Sequence, residues 1–347
     1  NSRFSLKNSR YWNTSRERQK VRNVKSQENI LPYYYRPFDK RWVLYQPNLI
    51  EIKRGGASKY VMYHFLRREN LGLSVCRQAI SESWQHTIVS NQIIDICYLS
   101  SKTRENAYLI PLYLYPEEDS NLLFDSLATS RWDSDEKHMG RVPNLNISIV
   151  NIMEDRLNLA FNPHLSDRKH AINSTFGPED ILAYIYAIFH SPTYRQRYIE
   201  FLKIDYPRVP LTSDVNLFQT LVFLGRELIA LHLMEYPKLN NLITNFPVPG
   251  DSQVKNRGGY PKYNPPVEGQ GGRVFINRDQ YFEGVPQDVW EFEIGGYQVL
   301  HKWLKDRRGR TLDYDDKRHY QQIVVALSET IRLMDEIDAV IPSWPIE

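Results

Sequence analysis

The chain has 347 residues, of which 41% are hydrophobic and 24% charged, so it can bury a core and is not globally disordered. Its longest apolar run, residues 181–189, is far shorter than the roughly 20 residues of a membrane span, and the polar, basic first residues do not form a signal peptide. Two cysteines cannot build a disulfide framework, so we expect a cytoplasmic protein without a membrane partner.

Basic residues are concentrated in the first third of the chain. Residues 1–110 contain 19 Lys or Arg and 8 Asp or Glu, whereas residues 111–347 contain 25 and 33. This asymmetry favours binding to a polyanion such as nucleic acid, although a solvated basic face would give the same counts. Residues 1–30 have few apolar side chains, and we interpret them as a basic connector from a missing upstream domain.

Strand signals dominate residues 31–150, which we expect to form a β-rich subdomain. Because the net positive charge lies there and before it, this subdomain is a candidate for DNA recognition. Four short segments are rich in β-branched and aromatic residues. They are residues 42–45, 73–76, 93–99 and 108–115. Residues 117–145 are acidic and polar, which is typical of a long loop.

Helical periodicity begins near residue 176 and predicts a mainly helical subdomain over residues 151–347. Pro178 is followed by two acidic residues, as in a first helical turn, and Ser191-Pro192 is typical of an N-cap and first helical residue. A third helix is predicted after Asp214, where leucines recur at spacings of three and four, and a final one over residues 315–339. The predicted fold class is therefore α+β.

Polar residues that could contact DNA cluster in the basic third. Arg can read guanine and Gln or Asn adenine, whereas Lys mostly contacts phosphate. For any single residue, a solvated basic surface is an equally good explanation. The first candidates are Arg54, Arg67, Arg68, Arg77 and Gln78. The second group contains Arg36, Lys53, Lys59 and the loop residues Lys255, Asn256 and Arg257.

Two other functional classes are compatible with the residues. Asp39, Glu51 and Lys53 have the acid and acid-x-Lys spacing of a Mg²⁺-dependent nuclease, although such a triplet also arises often by chance. The acidic helical half could instead be a protein-interaction scaffold. The sequence contains no phosphate-binding loop for ATP and no glycine-rich strand–turn–helix for a methyl donor.

Six ordered segments resemble one protein family over roughly residues 31–340. In this order they resemble the C-terminal target-recognition (specificity) domain of type ISP restriction-modification enzymes. The segments are Tyr35–Trp42, Asn70–Leu73 with Arg77-Gln78, Pro111–Tyr115, Phe176–Tyr186, Leu224–Leu228 and Trp290–Leu300.

The resemblance implies sequence-specific recognition of double-stranded DNA, which positions a target adenine for an upstream N6-adenine methyltransferase. In that family the methyltransferase and helicase-nuclease domains belong to the same polypeptide, so this chain would not be an enzyme by itself. S-adenosylmethionine, ATP and Mg²⁺ are then expected only in the missing domains, and no cofactor in this chain. The shared segments are expected to be scaffold, including Asp39, while Arg36 either forms an ion pair with Asp39 or contacts phosphate.

Overall fold

A computed structural model describes residues 29–45, 57–102, 104–116, 140–165, 170–267 and 271–346, in which small sheets precede and flank a group of helices. This arrangement confirms the α+β fold class. The strands are β1 (Ile30–Arg36), β2 (Asp39–Leu44), β3 (Gly72–Cys76), β4 (Thr87–Ser90), β5 (Ile93–Ile94), β6 (Ala107–Pro111), β7 (Tyr113–Leu114), β8 (Val142–Pro143), β9 (Ala160–Phe161), β10 (Thr175–Phe176), β11 (Lys262–Asn264), β12 (Arg273–Phe275), β13 (Tyr281–Glu283), β14 (Glu293–Ile294) and β15 (Tyr297–Gln298). The α-helices are α1 (Ala57–Tyr63), α2 (Ile147–Leu157), α3 (Pro178–His190), α4 (Pro192–Arg197), α5 (Ile199–Leu202), α6 (Val215–His232), α7 (Gln287–Glu291), α8 (Val299–Lys305) and α9 (Tyr314–Val340), and a 3₁₀ turn covers Pro237–Asn240.

Two three-stranded sheets organise the first part of the chain. Strand β3 lies between β4 and β6 in an antiparallel sheet, and β1 lies between antiparallel β2 and parallel β5. Every residue of β3 is buried, which explains its uninterrupted small and apolar sequence. In the β1–β2 turn, Phe38 adopts a left-handed φ of 58° and packs edge-on against His232 of α6 at 5.7 Å. The hairpin is thereby fixed to the helices.

The predicted helix starts are confirmed by their caps. The Asp180 carboxylate accepts the Gly177 N–H at 2.8 Å, Ser191 Oγ accepts that of Tyr194 at 3.0 Å, and Asp214 caps α6. The helix that begins after Ser191 is short, because Tyr198 leaves the helical conformation and separates α4 from α5. Its ring packs beside those of Tyr194 and Trp344, 5.2 and 6.2 Å away.

One hydrophobic core extends through both parts of the chain, from Tyr34 in β1 to Ile346 beyond α9. The boundary predicted at residue 150 stays a prediction, and helix α2 passes through that position. Within the described ranges, no helix combines the length and hydrophobicity needed to cross a bilayer.

Helices α3 and α6 approach most closely at Gly225, where an added Cβ would lie 2.0 Å from the carbonyl oxygen of Ala183. In an open helix, Gly→Ala is stabilising by about 1 kcal/mol. We expect Gly225→Ala to lower the free energy of unfolding by about 1–3 kcal/mol instead, because the helices must separate. Urea denaturation decides the sign, and a more stable variant would contradict the close packing.

A buried polar chain connects α3, α6 and α9. His232 Nδ1 contacts the Tyr186 hydroxyl, and its Nε2 lies 2.9 Å from Thr330 Oγ1. Burial, with a smaller contribution from the charge of Arg195, lowers the pKa of His232 to about 3. Burial likewise holds the pKa of His190 well below its usual range. Both histidines are therefore neutral in the folded protein at pH 7.

This burial predicts a loss of stability in mild acid. An unfolded histidine has a pKa of about 6.5, so as the pH falls the unfolded chain takes up the proton first. The contribution of the neutral, buried His232 to the free energy of unfolding is complete above about pH 7. It declines between about pH 6.5 and 3, and the loss at pH 5 is about 2 kcal/mol. Urea denaturation at pH 7.5 and 5 should show a smaller decline in His232→Gln than in the exposed control His164→Gln. Equal declines in the two variants would contradict this assignment.

Candidate nucleic-acid interface

A polar cleft of about 360 Å³ opens between the first sheets and the ends of two helices. We call it the arginine cleft. It is formed by the residues after α1, the β4–β5 turn, β7, the residue before β8, the first turn of α3 and the residues after α6. Its lining consists of Arg68, Glu69, Asn70, Leu71, Asn91, Gln92, Tyr113, Arg141, Glu179 and Glu235.

Tyrosine rings hold both arginines of the cleft in place. The Arg68 guanidinium lies 3.9 Å from the centroid of Tyr63, and its Nη2 donates to the Tyr63 hydroxyl at 2.7 Å. Arg141 lies 3.9 Å from the centroid of Tyr113 and donates to the Glu69 carbonyl at 3.4 Å. Stacked guanidinium groups lose little conformational freedom on binding, which makes them suited to planar, bidentate recognition.

Arg68 Nη1, a donor, and Asn91 Oδ1, an acceptor, are buried polar atoms of the cleft that have no hydrogen-bond partner among the described residues. The amide nitrogen of Asn91 is occupied, because it donates to Glu235 Oε1 at 3.2 Å. A buried polar atom without a partner costs about 1–3 kcal/mol, so a ligand that supplies both an acceptor and a donor would be favoured here.

Asn70 builds the wall of the cleft and is not available for recognition. Its Nδ2 donates to the carbonyls of His64 and Tyr113 at 2.9 and 2.8 Å, and its Oδ1 accepts the N–H groups of Leu71 and Tyr113. Burial, with a smaller contribution from Arg68, lowers the pKa of the His64 side chain to about 4. This imidazole is therefore uncharged at pH 7.

Arg67 lines a second cleft of about 360 Å³ that shares Arg68, Glu69 and Gln92 with the first. Its other walls include Pro32 of β1, which pairs with Trp42 on the sheet edge. Trp42 is 70% exposed, so an exposed aromatic ring stands beside Pro32 of this cleft. The structure thus brings the predicted residues Arg67 and Arg68 together.

The remaining predicted contacts lie elsewhere. Arg77 and Gln78 are exposed just after β3, whereas Arg68 precedes that strand, and Arg77 pairs with Asp205 at 3.3 Å. Lys59 is exposed on α1. Lys53 and Arg54 lie outside the described residues. Lys255, Asn256 and Arg257 belong to the loop before β11, where Lys255 pairs with Asp251 at 3.2 Å.

Arg36 occupies a structural position rather than an open surface. Its side chain is 11% exposed and donates to Asp95 at 2.9 Å, with its guanidinium 3.9 Å from the centroid of Tyr35. Arg36 therefore pairs with Asp95 and not with Asp39, the partner that the sequence suggested. The reason is that other arginines occupy the Asp39 carboxylate.

Asp39 is the anchor of the β1–β2 hairpin. The residue is 1% exposed, and its carboxylate accepts hydrogen bonds from Arg307 at 3.0 Å and Arg41 at 2.7 Å. Burial opposes its charge, but the bonds from Arg41 and Arg307 prevail and hold the pKa of Asp39 below its usual value. A carboxylate enclosed by two guanidinium groups is not available to Mg²⁺, so the nuclease interpretation is not supported. Its other members, Glu51 and Lys53, lie outside the described residues.

Comparison with known proteins identifies the family. The sequence profile described as the Type ISP C-terminal specificity domain matches residues 1–336. The chain belongs to this family. A search of curated proteins gave no match.

Solved structures share the fold of this Type ISP specificity domain. The ATP-dependent Type ISP restriction-modification enzyme LlaBIII bound to DNA is 20% identical with a TM-score of 0.60, covering 97% of this chain and 20% of that one. A nuclease-deletion mutant of the Type ISP enzyme LlaGI with a DNA substrate mimic is 20% identical with a TM-score of 0.59, covering 97% and 27%. The DrdV–DNA complex is 18% identical with a TM-score of 0.64, covering 96% and 30%. The chain thus spans less than a third of the length of each of these proteins.

Three polar side chains that line the arginine cleft, Asn91, Gln92 and Arg141, were not among the contacts predicted for this specificity domain. Asn91 and Gln92 sit in a two-residue turn between β4 and β5, and Arg141 follows a mainly acidic stretch. The Asn-Gln turn between two apolar strands was a usable local signal. Arg141 carries no such signal, because only the fold brings it to Tyr113.

Proposed function

We propose that this specificity domain recognises a sequence in double-stranded DNA and so positions a target adenine for the N6-adenine methyltransferase of a larger restriction-modification enzyme. The observation that carries the proposal is the family match over residues 1–336, because specificity in a restriction-modification enzyme is the choice of a DNA sequence. The chain itself contributes recognition, and the methyl-transfer, ATP-dependent and cleavage chemistry belongs to other domains. S-adenosylmethionine, ATP and Mg²⁺ are accordingly ligands of those domains.

The arginine cleft supports base recognition rather than simple attraction to phosphate. Its lining holds two arginines and three glutamates, so it has no positive excess that would retain phosphate groups. Base edges instead present donors and acceptors side by side. The partner-free Arg68 Nη1 and Asn91 Oδ1 complement an edge that offers one acceptor and one donor, such as the N7 and N6 atoms of adenine.

Duplex DNA is the partner that the related structures favour. LlaBIII and DrdV are described in complexes with DNA, and LlaGI in a complex with a DNA substrate mimic. The exposed Trp42 beside the Arg67 cleft supports the same partner, because exposed aromatic side chains can stack on or insert between bases.

Fluorescence anisotropy with labelled, pooled random duplexes tests the proposal. The titration is performed without Mg²⁺ at 50 and 200 mM salt. We expect saturable binding at low salt that weakens steeply at higher salt, because phosphate contacts release counterions. An unlabelled duplex should compete better than an equal mass of double-stranded RNA. Absence of binding at 50 mM salt would contradict the proposal.

A further inference from the structure

A second surface, towards the other end of the β1–β2 hairpin from the Arg67 cleft, carries positive charge that no described carboxylate pairs. It consists of Arg257, Lys262, Lys305 and Arg308, and we call it the basic ridge. Its two loops are joined by backbone hydrogen bonds from Val254 N to Arg310 O at 2.9 Å and from Gly309 N to Val254 O at 2.7 Å. Arg308 Nε also donates to the Tyr260 carbonyl at 2.6 Å. The ridge is therefore a fixed surface rather than two separate loops.

Tyr260 places Lys262 beside Arg308, because Lys262 Nζ lies 5.0 Å from the centroid of the Tyr260 ring and Arg308 donates to the carbonyl of the same residue. The next residue of β11, Tyr263, points to the other face of the strand and stacks on Trp290 at 5.2 Å with an interplanar angle of 12°. Trp290 in turn lies 5.9 Å from His301. Burial and then the charges of Lys305 and Arg308 lower the pKa of His301, as expected where cations are crowded.

Three carboxylates near the ridge pair with other cations. Asp251 pairs with Lys255 at 3.2 Å, Asp306 with Lys302 at 2.5 Å, and Asp316 with Arg310 at 3.4 Å. Burial, and then the charges of Glu291 and Asp288 in α7, raise the pKa of Tyr263. These two carboxylates mark the edge of the ridge on that side. No ion pair with a described carboxylate forms at any of the four ridge cations.

The β1–β2 hairpin connects the ridge with the base-reading clefts. Arg307, next to Arg308, bonds to Asp39 at the start of β2, while Pro32 near the other end of the hairpin lines the Arg67 cleft. From Asp39 to Trp42, the partner of Pro32, β2 advances three residues or about 10 Å, which is about three base-pair steps of a duplex. Exposed Lys40 and Trp42 lie along this edge.

We infer that the basic ridge binds the phosphate backbone of the same duplex, independently of base sequence, while the clefts read the bases. This inference rests on the proposed function. The test is the double variant Lys262→Gln/Lys305→Gln, in which both altered residues are exposed. The matched control is Arg197→Gln/Arg208→Gln, which removes two exposed charges from the helical part.

The affinity of the whole chain for pooled duplexes and for a selected duplex is measured at 50 and 200 mM salt. Losing two phosphate contacts should make the affinity drop between these salts about 10-fold smaller than in the wild type. The two duplexes should weaken by the same factor, and the control should match the wild type. If the wild type binds but the ridge variant keeps the wild-type salt dependence, the inference alone is overturned, leaving an acidic protein surface as the partner of the ridge. If the wild type binds no DNA at low salt, both the inference and the proposed function are overturned.

Discussion

Replacing Arg68 with Ala is expected to lower the affinity for a selected target duplex by about 1–3 kcal/mol, or about 5- to 150-fold. The affinity for a scrambled duplex should stay within about 2-fold. The reason is the position of Arg68, whose guanidinium is held over Tyr63 with Nη1 facing no described partner. Competition anisotropy with the two duplexes measures the difference.

Two further variants separate base reading from charge and packing. Arg68→Lys keeps the charge but loses the planar fork, so it should lose the same discrimination. Arg104→Ala removes an exposed arginine between β5 and β6 and should bind like the wild type. Equal losses on target and scrambled duplexes for both Arg68 variants would contradict the assignment of Arg68 to base recognition.

Asp39→Asn is expected to lower the free energy of unfolding by about 3 kcal/mol. No Mg²⁺-dependent cleavage of DNA should be lost with it. The substitution removes the nearer carboxylate partner of Arg307, which is 7% exposed and would keep only Asp316, 3.7 Å from its Nε. The share of the loss from Arg41 is small, because 37% of that side chain is exposed. Urea denaturation of the two proteins at pH 7.5 gives the difference.

The matched control is Asp205→Asn at the exposed pair with Arg77. Both side chains of this pair are more than half exposed, so the expected change is below about 1 kcal/mol. If Asp39→Asn were as stable as this control, Asp39 would not anchor the hairpin. Cleavage of plasmid DNA by the wild type with Mg²⁺, lost in Asp39→Asn, would restore the nuclease interpretation.

Features that depend on neighbouring residues could be predicted from the sequence. Caps at Ser191 and Asp214 are local, since each side chain bonds to an N–H two or three residues ahead. Leucine periodicity likewise predicted α6, because its apolar stripe must face α3 and α9. The resemblance of the ordered segments predicted the family that the profile then matched.

Features that depend on distant residues could not be predicted. The Asp39–Arg307 pair joins positions 268 residues apart, so the sequence left Asp39 compatible with metal binding as well as with structure. The arginine cleft draws its lining from several elements that are distant in the sequence, and only the folded chain brings them together. Basic residues that are close in the sequence are also separated by the fold, because Arg68 precedes β3 and Arg77 follows it.

The most direct test of the central claim is to sequence the duplexes that the chain retains from a random pool, with wild type and Arg68→Ala in parallel. We predict that the wild type enriches one sequence motif and that the variant loses its preference at one position of that motif while keeping the others. A wild-type pool without any enriched motif would contradict recognition of a DNA sequence by this chain. An unchanged motif in the variant would contradict the reading of bases by the arginine cleft.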